Sequence, residues 1–333
     1  MRTKDNTQGT PSMVISGGDP AGVGPYLITY ALKHKLLPEK TWIVVHQELL
    51  EYWFQELYGH GIEGIENVEI ISDLSAEAKV LEQLHNPIFT GKVSYEYLTT
   101  AIEIAYSHKI PLLTMPINKT SWGMAGIPLS GHTDYFRDKF PEYDPIMAMK
   151  HKNLFVIAIT DHIPLREVGS MFNKRRWVKK RLIHILAELS KFAGIKKVAI
   201  TGLNPHAGET PMLGTEEHAV IKPFIRELNF AFPMLDIEGP FPADSFWGMG
   251  KWKEYDAILA PYHDQAFIPF KMVVEGKKGI HITLGLPFLR VSPIHGTAYE
   301  AIKNRNVNVD SFIECIEFIK NYGNNNDISE GEK

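Results

Sequence analysis

The chain has 333 residues, 44% hydrophobic and 22% charged, and its 35 Lys and Arg against 39 Asp and Glu leave a net charge of −4. This is an ordinary globular composition, long enough for about two domains. No apolar run approaches the roughly 18 residues of a membrane span, the slight negative charge argues against nucleic acid, and the single cysteine, Cys315, leaves no disulfide framework or cysteine-rich metal site.

Residues 1–12 are polar and lack the apolar core of a signal peptide, so the expected compartment is the cytoplasm. Residues 13–16 predict a first strand, which runs into Gly17-Gly18-Asp19-Pro20, with a helix expected from Pro25. Further strands are expected at 41–45, 68–71, 111–115, 154–160, 197–201 and 257–260, with a strand-like run at 280–284. Helical spacing marks 47–58, 95–106, 178–192 and 216–228. Strands alternating with helices predict an α/β chain with a mainly parallel sheet. Six basic residues crowd positions 174–181; given the net charge they read as the exposed face of a helix. Cys315 falls at helical spacing with Phe312, Ile316 and Ile319 and reads as core. The tail 324–333, with three Asn in a row, is expected to be disordered.

Ligands in open α/β sheets bind beyond the carboxyl ends of the strands. Three expected strand ends each deliver a histidine into a polar turn: His162 after 154–160, His206 after 197–201 and His263 after 257–260. Neutral imidazole is the commonest metal ligand, and three with an open position make a catalytic site. No local ligand motif relates the three, so ordinary loop histidines fit the same pattern. Gly18-Asp19-Pro20-Ala21-Gly22-Val23-Gly24-Pro25 either brings backbone N–H groups to an anion or is a plain tight turn. It is no Walker loop, and Leu27 stands where a dinucleotide fingerprint needs its third glycine. Ser130-Gly131-His132-Thr133-Asp134 can bind phosphate or carboxylate, or cap a helix. Lys271 and Arg290 flank 280–284 and either neutralise an anionic substrate or sit as solvated charges.

In order along the chain, these motifs resemble the 4-hydroxythreonine-4-phosphate dehydrogenases of vitamin B6 biosynthesis. The resemblance runs through Gly18 to Pro25, Gly131-His132-Thr133, Gly202-Leu203-Asn204-Pro205-His206-Ala207-Gly208-Glu209 and Pro242-Ala243-Asp244. It continues through Tyr262-His263-Asp264-Gln265, Thr283-Leu284-Gly285-Leu286-Pro287-Phe288-Leu289-Arg290 and His295-Gly296-Thr297-Ala298. It implies a two-domain fold like that of the isocitrate and isopropylmalate dehydrogenases, with mainly parallel sheets and a cleft between domains. Residues 1–128 with 285–333 would form the nucleotide side, and 129–284 would carry the metal ligands and dimer interface.

The resemblance further implies a homodimer with its active site at the interface. A divalent metal (zinc, magnesium or cobalt) would sit on His162, His206 and His263, drawn from both subunits, and NAD or NADP at His295, Gly296, Thr297 and Ala298. His132, Thr133, Lys271, His281 and Arg290 fall on substrate-binding positions, and His132, Asp244 and Asp264 are the acid–base candidates. The implied reaction oxidises 4-phosphohydroxy-L-threonine at C3 to a β-keto acid that decarboxylates to 3-amino-2-oxopropyl phosphate. Two positions depart: His281 stands where the family usually has Asn, and Tyr26 replaces an acidic residue. They keep a four-carbon sugar-acid phosphate, 4-phosphothreonate or 4-phosphoerythronate, as the alternative substrate. A metal-dependent hydrolase or aldolase on a phosphorylated metabolite, or a non-catalytic phosphate-binding protein, is the more distant reading.

Overall fold

The structure, a computed structural model, describes residues 11–62, 65–74, 79–209, 212–276 and 278–326. Its strands in chain order are β1 (Met13–Ser16), β2 (Thr41–Val44), β3 (Val68–Ile71), β4 (Leu112–Thr114), β5 (Ile146–His151) and β6 (Leu154–Thr160). They continue with β7 (Lys197–Thr201), β8 (Asp236–Phe241), β9 (Ala257–Tyr262), β10 (Ile280–Leu284) and β11 (Arg290–Pro293). Two compact units are present, one within Met1–Pro145 and Lys277–Lys333, the other Ile146–Gly276.

In the first unit the strand order is β3-β2-β1-β4-β11-β10. All neighbours are parallel except β10, which runs antiparallel to β11. Ile15 of β1 lies between Ile43 and Leu113 in register, and all three are fully buried. Residues 129–145 and 278–284, expected on the other domain, belong here. Strand β10 is fixed by its pairing with β11, and the helix His132–Lys139 is held by aromatic packing of Phe136 and the following Phe140 on Phe288.

In the second unit the order is β5-β6-β9-β7-β8. Strands β6, β9, β7 and β8 are parallel, and β5 is antiparallel to β6. Every residue of β6 is buried, as are the first five of β9. Parallel strands covered on both faces read as unbroken apolar runs, which is why those strands were legible. Strand β8 was not, because it contains Gly239-Pro240. It ends the strand order, where a residue without an N–H is tolerated, and it bulges there: Ala199 faces Glu238 but Thr201 faces Phe241. A Cβ on Gly239 would lie 2.3 Å from the carbonyl oxygen of Ile200, so the bulge requires glycine.

The basic stretch 174–181 does form the exposed face of a helix, Arg175–Leu189, with one correction. Arg181 turns inward and its Nε donates to the Ile159 carbonyl at 3.3 Å. Cys315 is fully buried, as its spacing predicts. The helix Asp310–Asn326 continues through the three asparagines expected to be disordered, while the remainder of that tail and residues 1–10 lie outside the described residues. No helix among the described residues is long and apolar enough to cross a membrane.

Candidate active site

Arg290 opens β11, flanked by β4 and β10, and only 1% of it is exposed. Its Nε and Nη2 donate to the hydroxyl of Thr114, the last residue of β4, at 3.1 and 2.6 Å. Nη1 donates to Thr283 Oγ1, on the residue opposite it in β10, at 3.1 Å and to His281 Nδ1 at 3.0 Å. Nη2 also reaches His132 Nδ1 at 3.2 Å, and the ring of Phe136, one turn along the same helix, lies 5.4 Å from the guanidinium carbon. These hydrogen-bond partners are neutral groups, and among the described residues no carboxylate pairs with Arg290. Burial pushes its pKa down to about 9, the mark of a cation lacking a counter-ion.

A guanidinium only donates, so the Nδ1 atoms of His132 and His281 must accept. Each neutral ring therefore carries its proton on Nε2. The Nε2 of His132 is closed to solvent and has no protein partner. Burial, then the charges of Arg290 and Lys119, holds the His132 pKa well below its ordinary value, so the ring stays neutral. A buried cation beside an unmet N–H donor has the chemistry that suits phosphate or carboxylate. Thr133 is the next residue on the same helix and is half-buried. The hydroxyl of Ser130 donates to the Asp134 carboxylate, and the helix has no side-chain cap, so the capping alternative falls away.

The Gly-rich stretch is a packed turn and not an anion cradle. Backbone amides of Gly17, Asp19, Gly22 and Val23 donate to carbonyls of Val44, Pro116, Asp19 and Thr297, and that of Ala21 donates to Asp19 Oδ1. Through Val23 the turn clasps the 295–298 loop. A second tie runs from Asn118 Nδ2 to the Tyr299 hydroxyl (2.8 Å) and from that hydroxyl to the fully buried Asp19 Oδ2 (2.6 Å). Burial raises the pKa of Asp19 and, with the Asp19 carboxylate, pushes that of Tyr299 to about 12. His295 has a buried Nε2 with no protein partner, and Ala298 sits at φ 52° to open the helix Tyr299–Lys303.

In the second unit, His162, His263 and His206 follow the carboxyl ends of β6, β9 and β7, three neighbouring parallel strands. The rings of His162 and His263 have centroids 5.6 Å apart. His263 Nδ1 donates to Asp264 Oδ1 at 2.7 Å, which leaves the lone pair on Nε2. Gln265 ties this helix start to β7, accepting from the Thr201 hydroxyl at 2.6 Å and donating to the Gly202 carbonyl at 3.0 Å. His206 is exposed on the turn Pro205–Gly208, against which the helix Ala243–Gly248, carrying exposed Asp244, is packed. Among the described residues no group of three His, Cys, Asp or Glu closes on a common point within the chain. Lys271 is exposed near the end of the His263–Val273 helix, in the second unit, whereas Arg290 and its partners lie in the first.

Sequence reasoning missed Thr114 and Tyr299. The signal for Thr114 is a hydroxyl closing the apolar run Leu112-Leu113; Tyr299 gives none, because Asp19 is 280 positions away.

The model of the family described as pyridoxal phosphate biosynthetic protein PdxA matches residues 42–319. The chain belongs to the PdxA family. It is 34% identical to the 4-hydroxythreonine-4-phosphate dehydrogenase of Hydrogenobaculum sp. over 93% of this chain and 98% of that protein. It is 32% identical to a protein of Halalkalibacterium halodurans provisionally named D-threonate 4-phosphate dehydrogenase, over 94% of this chain and 97% of that one. The crystal structure of 4-hydroxythreonine-4-phosphate dehydrogenase from Klebsiella pneumoniae superposes with a TM-score of 0.75 at 25% identity, covering 94% of this chain and 98% of that one. A β-decarboxylating dehydrogenase of Thermococcus kodakarensis shares the fold, with a TM-score of 0.51 at 10% identity over 93% of this chain and 82% of that one. This PdxA-family chain is therefore an enzyme of the dehydrogenase type, with the α/β fold its motifs imply.

Proposed function

We propose that this chain oxidises the C3 hydroxyl of a four-carbon acid phosphate, with NAD or NADP as hydride acceptor and a divalent metal as helper. The first substrate is 4-phosphohydroxy-L-threonine, whose β-keto product decarboxylates to 3-amino-2-oxopropyl phosphate. The observation that carries the reading is Arg290, a buried cation with only neutral hydrogen-bond partners, beside the closed-off Nε2 of His132. D-Threonate 4-phosphate is the second substrate. It is supported by His281, whose proton sits on Nε2 as a donor suited to a hydroxyl and not to an ammonium group, and by the Halalkalibacterium relative.

The donor chemistry fits a divalent metal, because Asp264 orients the His263 ring beside that of His162. His206 would complete the set across a homodimer, and the active site would lie at the interface. When bound, such a metal would supply Lewis acidity toward the substrate's oxygens, and His295, Gly296, Thr297 and Ala298 would hold the nicotinamide that supplies a hydride acceptor. Arg290 and the Nε2–H of His132 bind the substrate's anionic end, with Thr133 as a further contact; this anchors the molecule away from its reacting carbon. His132 does not serve as the base, since its lone pair is committed to Arg290. Asp264 is engaged with His263, so Asp244 takes the hydroxyl proton as hydride leaves C3.

The test follows nicotinamide reduction and CO2 release with 4-phosphohydroxythreonine and D-threonate 4-phosphate side by side, with and without added Zn2+, Mg2+ or Co2+. Reduction that vanishes on metal removal, with one substrate clearly preferred, is expected. No nicotinamide reduction with either substrate in any metal would overturn the reading.

A further inference from the structure

Glu217 is fully buried. No Lys or Arg pairs with it among the described residues; its hydrogen-bond donors both come from Asn204. The Asn204 backbone amide donates to Oε1 at 2.7 Å and the Asn204 side-chain Nδ2 donates to Oε2 at 3.0 Å. The same Nδ2 also reaches Glu216 Oε2 at 2.9 Å. Burying a carboxyl group is costly, and the two hydrogen bonds from Asn204 offset part of that cost.

What it holds is the turn that presents His206. Asn204 is the residue immediately before Pro205–Gly208, and within that turn His206 and Ala207 both adopt left-handed backbone, at φ 53° and 51°. Two consecutive non-glycine residues in that region are strained and persist only where their surroundings fix them. The carboxylate is wedged against the turn: a Cβ on Gly208 would lie 2.8 Å from Oε2, and one on Gly202 would lie 3.3 Å from Oε1. Gly214 closes the other side, since a Cβ there would fall 2.2 Å from Asn204 Nδ2. Glu217 opens a single π-helical turn, Glu217–Ile221, an irregularity frequent at functional sites.

We propose that Glu217 is the positioning residue for His206: it fixes the strained turn through Asn204 and so sets the direction in which the imidazole meets a divalent cation. The assignment rests on the metal reading above. Glu217 itself touches neither metal nor substrate.

The experiment titrates metal-stripped full-length enzyme with Co2+ and Zn2+ by calorimetry, and reads the visible absorption of the Co2+ form. Wild type, His206→Ala, Glu217→Gln and Asn204→Ala are compared, each checked for native fold by circular dichroism. Glu217→Gln keeps an acceptor for the Asn204 amide but faces the Asn204 side chain with a donor. Its metal affinity is expected to fall about tenfold to a hundredfold with an altered Co2+ spectrum, and its turnover to recover at saturating metal. Asn204→Ala, which keeps the backbone hydrogen bond, is expected to weaken binding several-fold and carries the test if Glu217→Gln does not fold. Wild-type affinity and spectrum in either folded variant, with His206→Ala defective, overturns the Glu217 assignment alone. Wild-type affinity in His206→Ala overturns the metal reading and this assignment with it.

Discussion

Arg290 is a buried charge held by hydroxyls and imidazoles, an arrangement that suits a bound anion and not stability. Arg290→Met should therefore leave the thermal midpoint unchanged or raised while substrate binding collapses, and Arg290→Lys should raise KM at least tenfold by losing the forked geometry. A large loss of stability with KM unchanged would show the side chain to be structural. His132 gives a pH signature. Its folded-state pKa lies below the ordinary value of about 6.5, so between the two the unfolded chain binds a proton that the folded chain does not. Burial gives His295 the same sign. Stability is then fully present above about pH 6.5 and is lost as pH falls below it, by up to about 1.4 kcal/mol per pH unit for each group. Urea denaturation at pH 7.5, 6.5 and 5.5 measures this, and His132→Gln should flatten part of the slope; a wild-type midpoint constant over that range contradicts it.

At the scale of elements, the Gly-rich turn shows how backbone packing decides what a motif does. A Cβ on Gly24 would lie 2.1 Å from the carbonyl oxygen of Gly17, whereas one on Gly169 in the helix Leu165–Asn173 meets nothing within 4 Å. Gly24→Ala is expected to destabilise by about 2 kcal/mol or more through overpacking, and Gly169→Ala to stabilise by about 0.5–1 kcal/mol. Equal effects in chemical denaturation would refute the distinction. From sequence the turn was equally an anion cradle, because glycines permit both. Which one forms depends on whether Val44, Pro116 and Thr297, distant in the chain, arrive to take its amides. The strands divide in the same way: β6 and β9 announce themselves as apolar runs, while β5, β8 and β11 exist because a neighbour pairs with them.

For the whole molecule, the decisive fact is that one chain brings His162 and His263 together but closes no three-ligand group among its described residues. If a second copy supplies His206, mixing inactive His206→Ala and His263→Ala proteins after partial unfolding and refolding should restore about a quarter of wild-type activity, because each mixed dimer regains one intact site. No recovery would mean that the ligands come from one chain. The sequence by itself determined the α/β class, the strand ends that carry the three histidines, and the ordered motifs of the PdxA family, since apolar runs and turn residues are local properties. Tertiary structure alone decided that 129–145 and 278–284 join the first unit, that Thr114 and His281 close around Arg290, and that Asp19 meets Tyr299. Those outcomes depend on which strands pair and which charges are shut away from water, and neither is written in any stretch of neighbouring residues.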